Sequence, residues 1–241
     1  MKRIILISVA ILSAAVAEVL AGKLPSEFTY IIYVRGKDVG RSTTKVVETA
    51  ETYVFESQTE VAIDQFSLDL NTRTEIDKKT SLPVRFTYKG TKQQQAVEGE
   101  TTIEGNEATC LVGLDGEQFT SSRVSQFPLL LLEDYVMAHE VVIARAFWES
   151  GEDPAQFGLV IPSASNLTSV RISKSSELAF ESENKEAYCV KFIVSLTNGS
   201  PFASYYDPER GLPVYLAFPA SSTEVFLDEF FDGQPLSRYR E

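Results

Sequence analysis

FPLLLLEDYVMAHEVVIARAFW, residues 127–148, is the stretch on which the reading of the fold turns. Set at 100° per residue, Leu132, Tyr135, Val136, His139, Val142, Ile143, Ala146 and Phe147 share one broad apolar face, with Asp134, Arg145 and Glu149 opposite. Leu129, Leu130, Leu131, Val141 and Trp148 carry the apolar surface nearly all the way round. The spacing predicts one helix over 127–148. Pro128 would fall in its first turn, where a missing N–H costs nothing, and Gly151 and Pro154 would end it. So apolar a helix needs cover, and almost all of the remaining chain reads as strand. The expected fold is mainly β (α+β): a strongly curved antiparallel sheet or half-barrel wrapped around one central helix.

Upstream, β-branched and aromatic residues alternate between turn residues at 28–36, 39–48, 52–63, 66–76, 82–89, 96–104 and 107–114. Phe66, Leu68 and Leu70 alternate with Ser67, Asp69 and Asn71, so one face of the sheet is dry and the other wet. Residues 117–126 lead into the helix. Downstream, strands are expected at 157–161, 167–173, 178–182, 187–196, 202–206, 212–218 and 224–230. No linker is long enough to separate a pair of domains. Residues 27–232 read as a single domain with the helix inserted midway, in one sheet or two, after a linker at 18–26 and before a polar tail at 233–241.

The 241 residues, 44% of them hydrophobic, can bury a sizeable core. Residues 1–17 run from Lys2-Arg3 through an apolar segment to Ala15-Val16-Ala17, the layout of a signal peptide cleaved before Glu18. The expectation is an exported protein, periplasmic or extracellular, with no stable membrane span after cleavage, because Glu133, Asp134, Glu140 and Arg145 interrupt 127–148. The formal charge is −12; losing Lys2 and Arg3 leaves 20 basic against 34 acidic residues, or −14. That balance argues against nucleic acid and anionic lipid headgroups as partners. Cys110 and Cys189 lie in separate apolar strands. In an oxidising compartment a disulfide between them is expected, two buried free thiols being the alternative. With two Cys and one His a metal site is poorly supplied, and no phosphate loop or dinucleotide motif implies a cofactor.

DKKTSLPV (77–84) and DPERGLPV (207–214) repeat one design. Asp caps the N–H groups of its own turn, Ser or Gly allows the reversal, and Leu-Pro-Val opens the next strand, where proline is tolerated. The recurrence suggests related halves. Such a hairpin in an exported, strand-rich chain resembles the bacterial lipoprotein carriers (the LolA/LolB type). That resemblance implies a bent antiparallel sheet over helices, enclosing an apolar cavity for acyl chains. FTYIIYVRGKDVGRSTTKVVE (28–48), with its Val39-Gly40 pair, also resembles a family of uncharacterised exported bacterial proteins.

Tyr30, Tyr33, Phe55, Phe86 and Tyr88 on strands, with Leu132, Tyr135, His139 and Ile143 on the helix, are the expected lining of an apolar cavity. Phe226, Phe230 and Phe231 would close one mouth. The leading reading is a non-catalytic binding protein for a hydrophobic or lipid-like ligand in the bacterial envelope. A second is an envelope protein with a solid core, whose sheet edge or acidic surface meets a protein partner. A third is a hydrolase using His139, read either as a general base or as a neutral core histidine bonded to a strand carbonyl. No second His follows His139-Glu140 at zinc-protease spacing, and no Gly-x-Ser-x-Gly elbow is present. Glu133-Asp134 and Asp228-Glu229 read as solvated or capping carboxylates, since adjacent residues point apart.

Overall fold

The computed structural model describes residues 22–182 and 185–230; the expected leader (1–17), Phe231 and the tail (233–241) lie outside them. The alternating segments form β1 (Glu27–Val34), β2 (Lys37–Glu48), β3 (Thr52–Ile63), β4 (Phe66–Asp77), β5 (Pro83–Lys92), β6 (Gln95–Glu104), β7 (Glu107–Leu114) and β8 (Glu117–Val124), each antiparallel to the next. Next come β9 (Leu129–Leu131), the helix α1 (Met137–Ser150) and β10 (Ala155–Ile161), with β9 and β10 parallel. The chain then meanders back through β11 (Asn166–Ser182), β12 (Lys185–Leu196), β13 (Phe202–Asp207), β14 (Leu212–Phe218) and β15 (Thr223–Leu227).

Among the described residues fifteen strands belong to one open, curled sheet in the order β8-β7-β6-β5-β4-β3-β2-β1-β15-β14-β13-β12-β11-β10-β9. The first and last strands meet in mid-sheet, with Tyr30 opposite Leu227. The two edge strands, β8 and β9, are consecutive in the chain and joined only by residues 125–128. At roughly 3.6 Å per residue so short a link spans little, so the two edges must approach at that end and the sheet must curl. The curl brings β9 against β5, and the 3₁₀ turn Pro162–Ala164 against β6 and β7. This buries the β9 edge and leaves β8 exposed along nearly its whole length.

The predicted helix begins too early. Leu129, Leu130 and Leu131 are strand, each at most 1% exposed, because a short apolar run paired in parallel has both faces covered. Pro128 opens no helix; its carbonyl accepts the Gly158 N–H at 2.9 Å. Tyr135 has φ 62°, a left-handed conformation a bulky side chain seldom takes, and it stops helical geometry from extending upstream. The other end is as expected, with Gly151 at φ 67°. The helix also has no wet face. Met137 through Phe147 are all buried, Glu140 and Arg145 included, since α1 touches β4, β9 and β14. Two further boundaries differ. Residues 117–124 form a full strand, and β11 is one long strand with a bulge at Lys174–Ser176 where two strands were expected.

The expected Cys110–Cys189 disulfide is absent. Both thiols are free and buried, on β7 and β12 in opposite arms of the sheet. Thr101 Oγ1 donates to Cys110 Sγ at 3.4 Å, and Cys189 Sγ donates to the Ala187 carbonyl at 3.8 Å.

The repeated turns form as their sequence dictates. Asp77 Oδ1 accepts the N–H groups of Lys79 and Thr80, both at 2.9 Å; Asp207 Oδ1 accepts those of Glu209 and Arg210 at 2.9 and 3.2 Å. Ser81 (φ 53°) and Gly211 (φ 67°) take the left-handed position in their turns. Both turns abut the C-terminal end of α1. Ser81 Oγ donates to Glu149 Oε2, and Gly211 lies so close to Arg145 that a Cβ there would stand 3.2 Å from Nη1. Arg145 pairs with Glu149 at 2.8 Å and donates to the Gly22 carbonyl at 3.2 Å. One ion pair thus ties both turns to the helix.

Candidate functional site

At the N-terminal end of α1 the packing is looser. The first residue of β4 supplies Phe66, the segment before the helix Leu132 and Tyr135, and the helix itself Met137 and Glu140. The start of β13 and the end of β14 supply Phe202 and Phe218. Between them lies a groove of about 440 Å³. Its rings come in two pairs: Phe66 against Tyr135 at 5.9 Å, and Phe202 stacked on Phe218 at 4.8 Å. The left-handed backbone at Tyr135 belongs to the tight turn just before the helix, where the Val136 N–H reaches the Glu133 carbonyl at 3.1 Å.

Three carboxyl groups border the groove, each in a different state. Asp134 is exposed and lies 3.7 Å from Lys92 Nζ. Glu133, contrary to expectation, is 5% exposed. It accepts the Ser163 N–H at 2.8 Å and Oγ–H at 2.7 Å, so burial raises its pKa while those bonds hold it back. Glu140 is 3% exposed, its Oε2 has no hydrogen-bond partner, and burial alone pushes its pKa up to about 8. At neutral pH it is a carboxylic acid at the edge of an apolar groove.

Of the residues expected to line a cavity, Leu132 and Tyr135 border this groove. Tyr88 lines a smaller neighbouring pocket of about 180 Å³ between the overlapping arms, with Leu68, Leu70 and Val97. Tyr30, Tyr33, Phe55, Phe86, Ile143 and Phe226 are core residues at 0–8% exposure and line neither. Tyr30 donates to the Pro213 carbonyl at 2.6 Å. Phe226 packs on Tyr33 and Tyr215, and Phe230 lies beneath the Arg210 guanidinium, away from this mouth. His139 is fully buried edge-on to Phe86 at 4.5 Å. The expected bond to a strand carbonyl does not form, neither ring nitrogen has a partner, and burial pushes its pKa down to about 3.

Phe66, Met137, Glu140, Phe202 and Phe218 were not picked out from sequence as site residues. The one available signal was Glu140, a charge in an apolar helical run. The turns that bring the rings together are long-range neighbours, which no local pattern reveals. A larger concavity of about 680 Å³ lies over β2–β8. It is lined mostly by polar and charged residues, and charges on its walls pair with each other, as in Arg73–Glu56 at 4.0 Å and Lys89–Glu98 at 3.6 Å. Among the described residues no three His, Cys, Asp or Glu side chains gather to hold a metal ion. No described helix is long and apolar enough to cross a membrane.

No protein-family model matches the sequence, and no curated protein matches it. Among solved structures the chain is similar to a DUF1089-family protein from Pseudomonas aeruginosa. The two are 14% identical over 75% of this chain and 90% of that one, with a TM-score of 0.44.

Proposed function

We propose that this chain is an exported, non-catalytic binding protein of the bacterial envelope whose groove holds a hydrophobic or lipid-like ligand. The carrying observation is the groove itself: about 440 Å³, walled by two aromatic pairs and open at one end of the buried helix. Ligand sites are typically concave, mostly apolar and of roughly this size. In this reading the curled sheet acts as a half-barrel around a central helix, supported by the burial of Met137 through Phe147 and by the helix contacts to β4 and β14. Export rests on the three-segment leader at 1–17.

The test is mass spectrometry of solvent extracts from natively purified protein. An amphiphile should co-purify in near-stoichiometric amount and be lost from a Phe202→Ala, Phe218→Ala double variant that remains folded. Repeated recovery of empty wild-type protein would sink the reading. A second reading, a protein partner added along β8, is favoured by Phe119 and Val124, which are 57% and 71% exposed on that edge strand. It predicts a single cross-linked partner that is lost when both are replaced by lysine.

A further inference from the structure

Resting on the binding reading above, we infer that the groove selects a cationic head: its ligand is an alkylammonium amphiphile whose nitrogen seats against Glu140. Glu140 is buried, and its Oε2 is unpartnered while Glu133 and Asp134 are already satisfied by Ser163 and Lys92. An unpaired buried oxygen is a standing cost that a ligand donor removes. Among the described residues the groove wall includes three acidic residues and no Lys, Arg or His. A fatty-acid carboxylate or a phosphate ester would therefore meet acidic groups, with the nearby Lys92 already paired to Asp134. Phe66, Tyr135, Phe202 and Phe218 offer the opposite complement, since ring faces attract ammonium groups, most strongly where water is excluded. Burial holds the carboxyl close to its ionisation point, so an arriving cation would favour release of the Glu140 proton to solvent and leave the carboxylate as its counter-ion.

The experiment is isothermal titration calorimetry of the folded protein at neutral pH. Three ligands of equal chain length are compared below their micelle concentrations: n-decylammonium, whose N–H groups can donate to Glu140, n-decanol and decanoate. Decylammonium should bind at least about tenfold more tightly than either of the others. Glu140→Gln should abolish that preference, so that decylammonium binds the variant no more tightly than decanol does. If decanoate or decanol binds as well as the ammonium, or if Glu140→Gln keeps the preference, the cationic head is overturned and the hydrophobic groove still stands. If none of the three binds, the groove reading falls too.

Discussion

Glutamine at position 140 should make the protein more stable, and increasingly so as pH rises. Burial lifts the Glu140 carboxyl from 4.5 to about 8. Below about pH 4.5 the acid is protonated in folded and unfolded chains alike and its burial carries no ionisation cost. Between 4.5 and 8 the unfolded chain releases the proton while the folded one retains it. Wild-type stability therefore declines with rising pH across that window, and the loss is complete above 8. The gap between 4.5 and about 8, at about 1.4 kcal/mol per pH unit, amounts to about 5 kcal/mol. Glutamine keeps the volume and removes the titration, so the advantage of the variant should grow by about 1.4 kcal/mol per pH unit from 5 to 8. Urea unfolding of both proteins at pH 5, 6, 7 and 8 measures it, using the difference between the two at each pH to cancel all other titrations. Parallel stability curves, or an advantage that shrinks towards pH 8, would refute the assignment of a buried, unpartnered acid.

His139→Leu should stabilise the protein by about 1–3 kcal/mol at pH 7, by removing two unpaired buried nitrogens. Its folded pKa is lowered from 6.5 to about 3, so wild-type stability from this group is intact above 6.5 and lost as pH falls towards 3. The gain of the variant should widen below pH 6.5 in the same unfolding assay. Arg145→Met should cost about 3 kcal/mol, seen as a lower thermal midpoint, because it removes the cation paired with Glu149 and the donor to the Gly22 carbonyl at once. Asp207→Ala should cost more than Asp77→Ala, roughly 2 against 1 kcal/mol. The two caps are alike, but Asp207 is 1% exposed and also pairs with Arg210.

Strand positions were legible because the inner face of this sheet is dry and the outer face wet. Leu68 and Leu70 against Asp69 and Asn71 is the pattern, and the bounds of β3, β7 and β14 come directly from it. The Asp turns were legible because a carboxylate capping its own turn is a local event. The helix start was not, because Leu129–Leu131 and Val141–Ile143 are equally apolar and only the parallel partner β10 distinguishes strand from helix. A second repeat went unread: Pro162–Ala164 and Pro219–Ser221 are both 3₁₀ turns closed by a left-handed serine, Ser165 and Ser222. It lacks the strong Leu-Pro-Val signature. The groove was least legible, since its walls come from the ends of distant strands and the start of the helix, brought together only by the curl.

The seam between β1 and β15 has a consequence for how the chain acquires its shape. Tyr30 and Leu227 pair across 227 − 30 = 197 positions, so the mid-line of the sheet is the last ladder that can close as the polypeptide is made. Until then β1, with Tyr30, Ile31 and Ile32 among its buried residues, presents an unpaired, apolar border. Non-local pairing of this kind is slow and prone to misassociation. The newborn chain should therefore need its leading strands shielded until the final hairpin arrives.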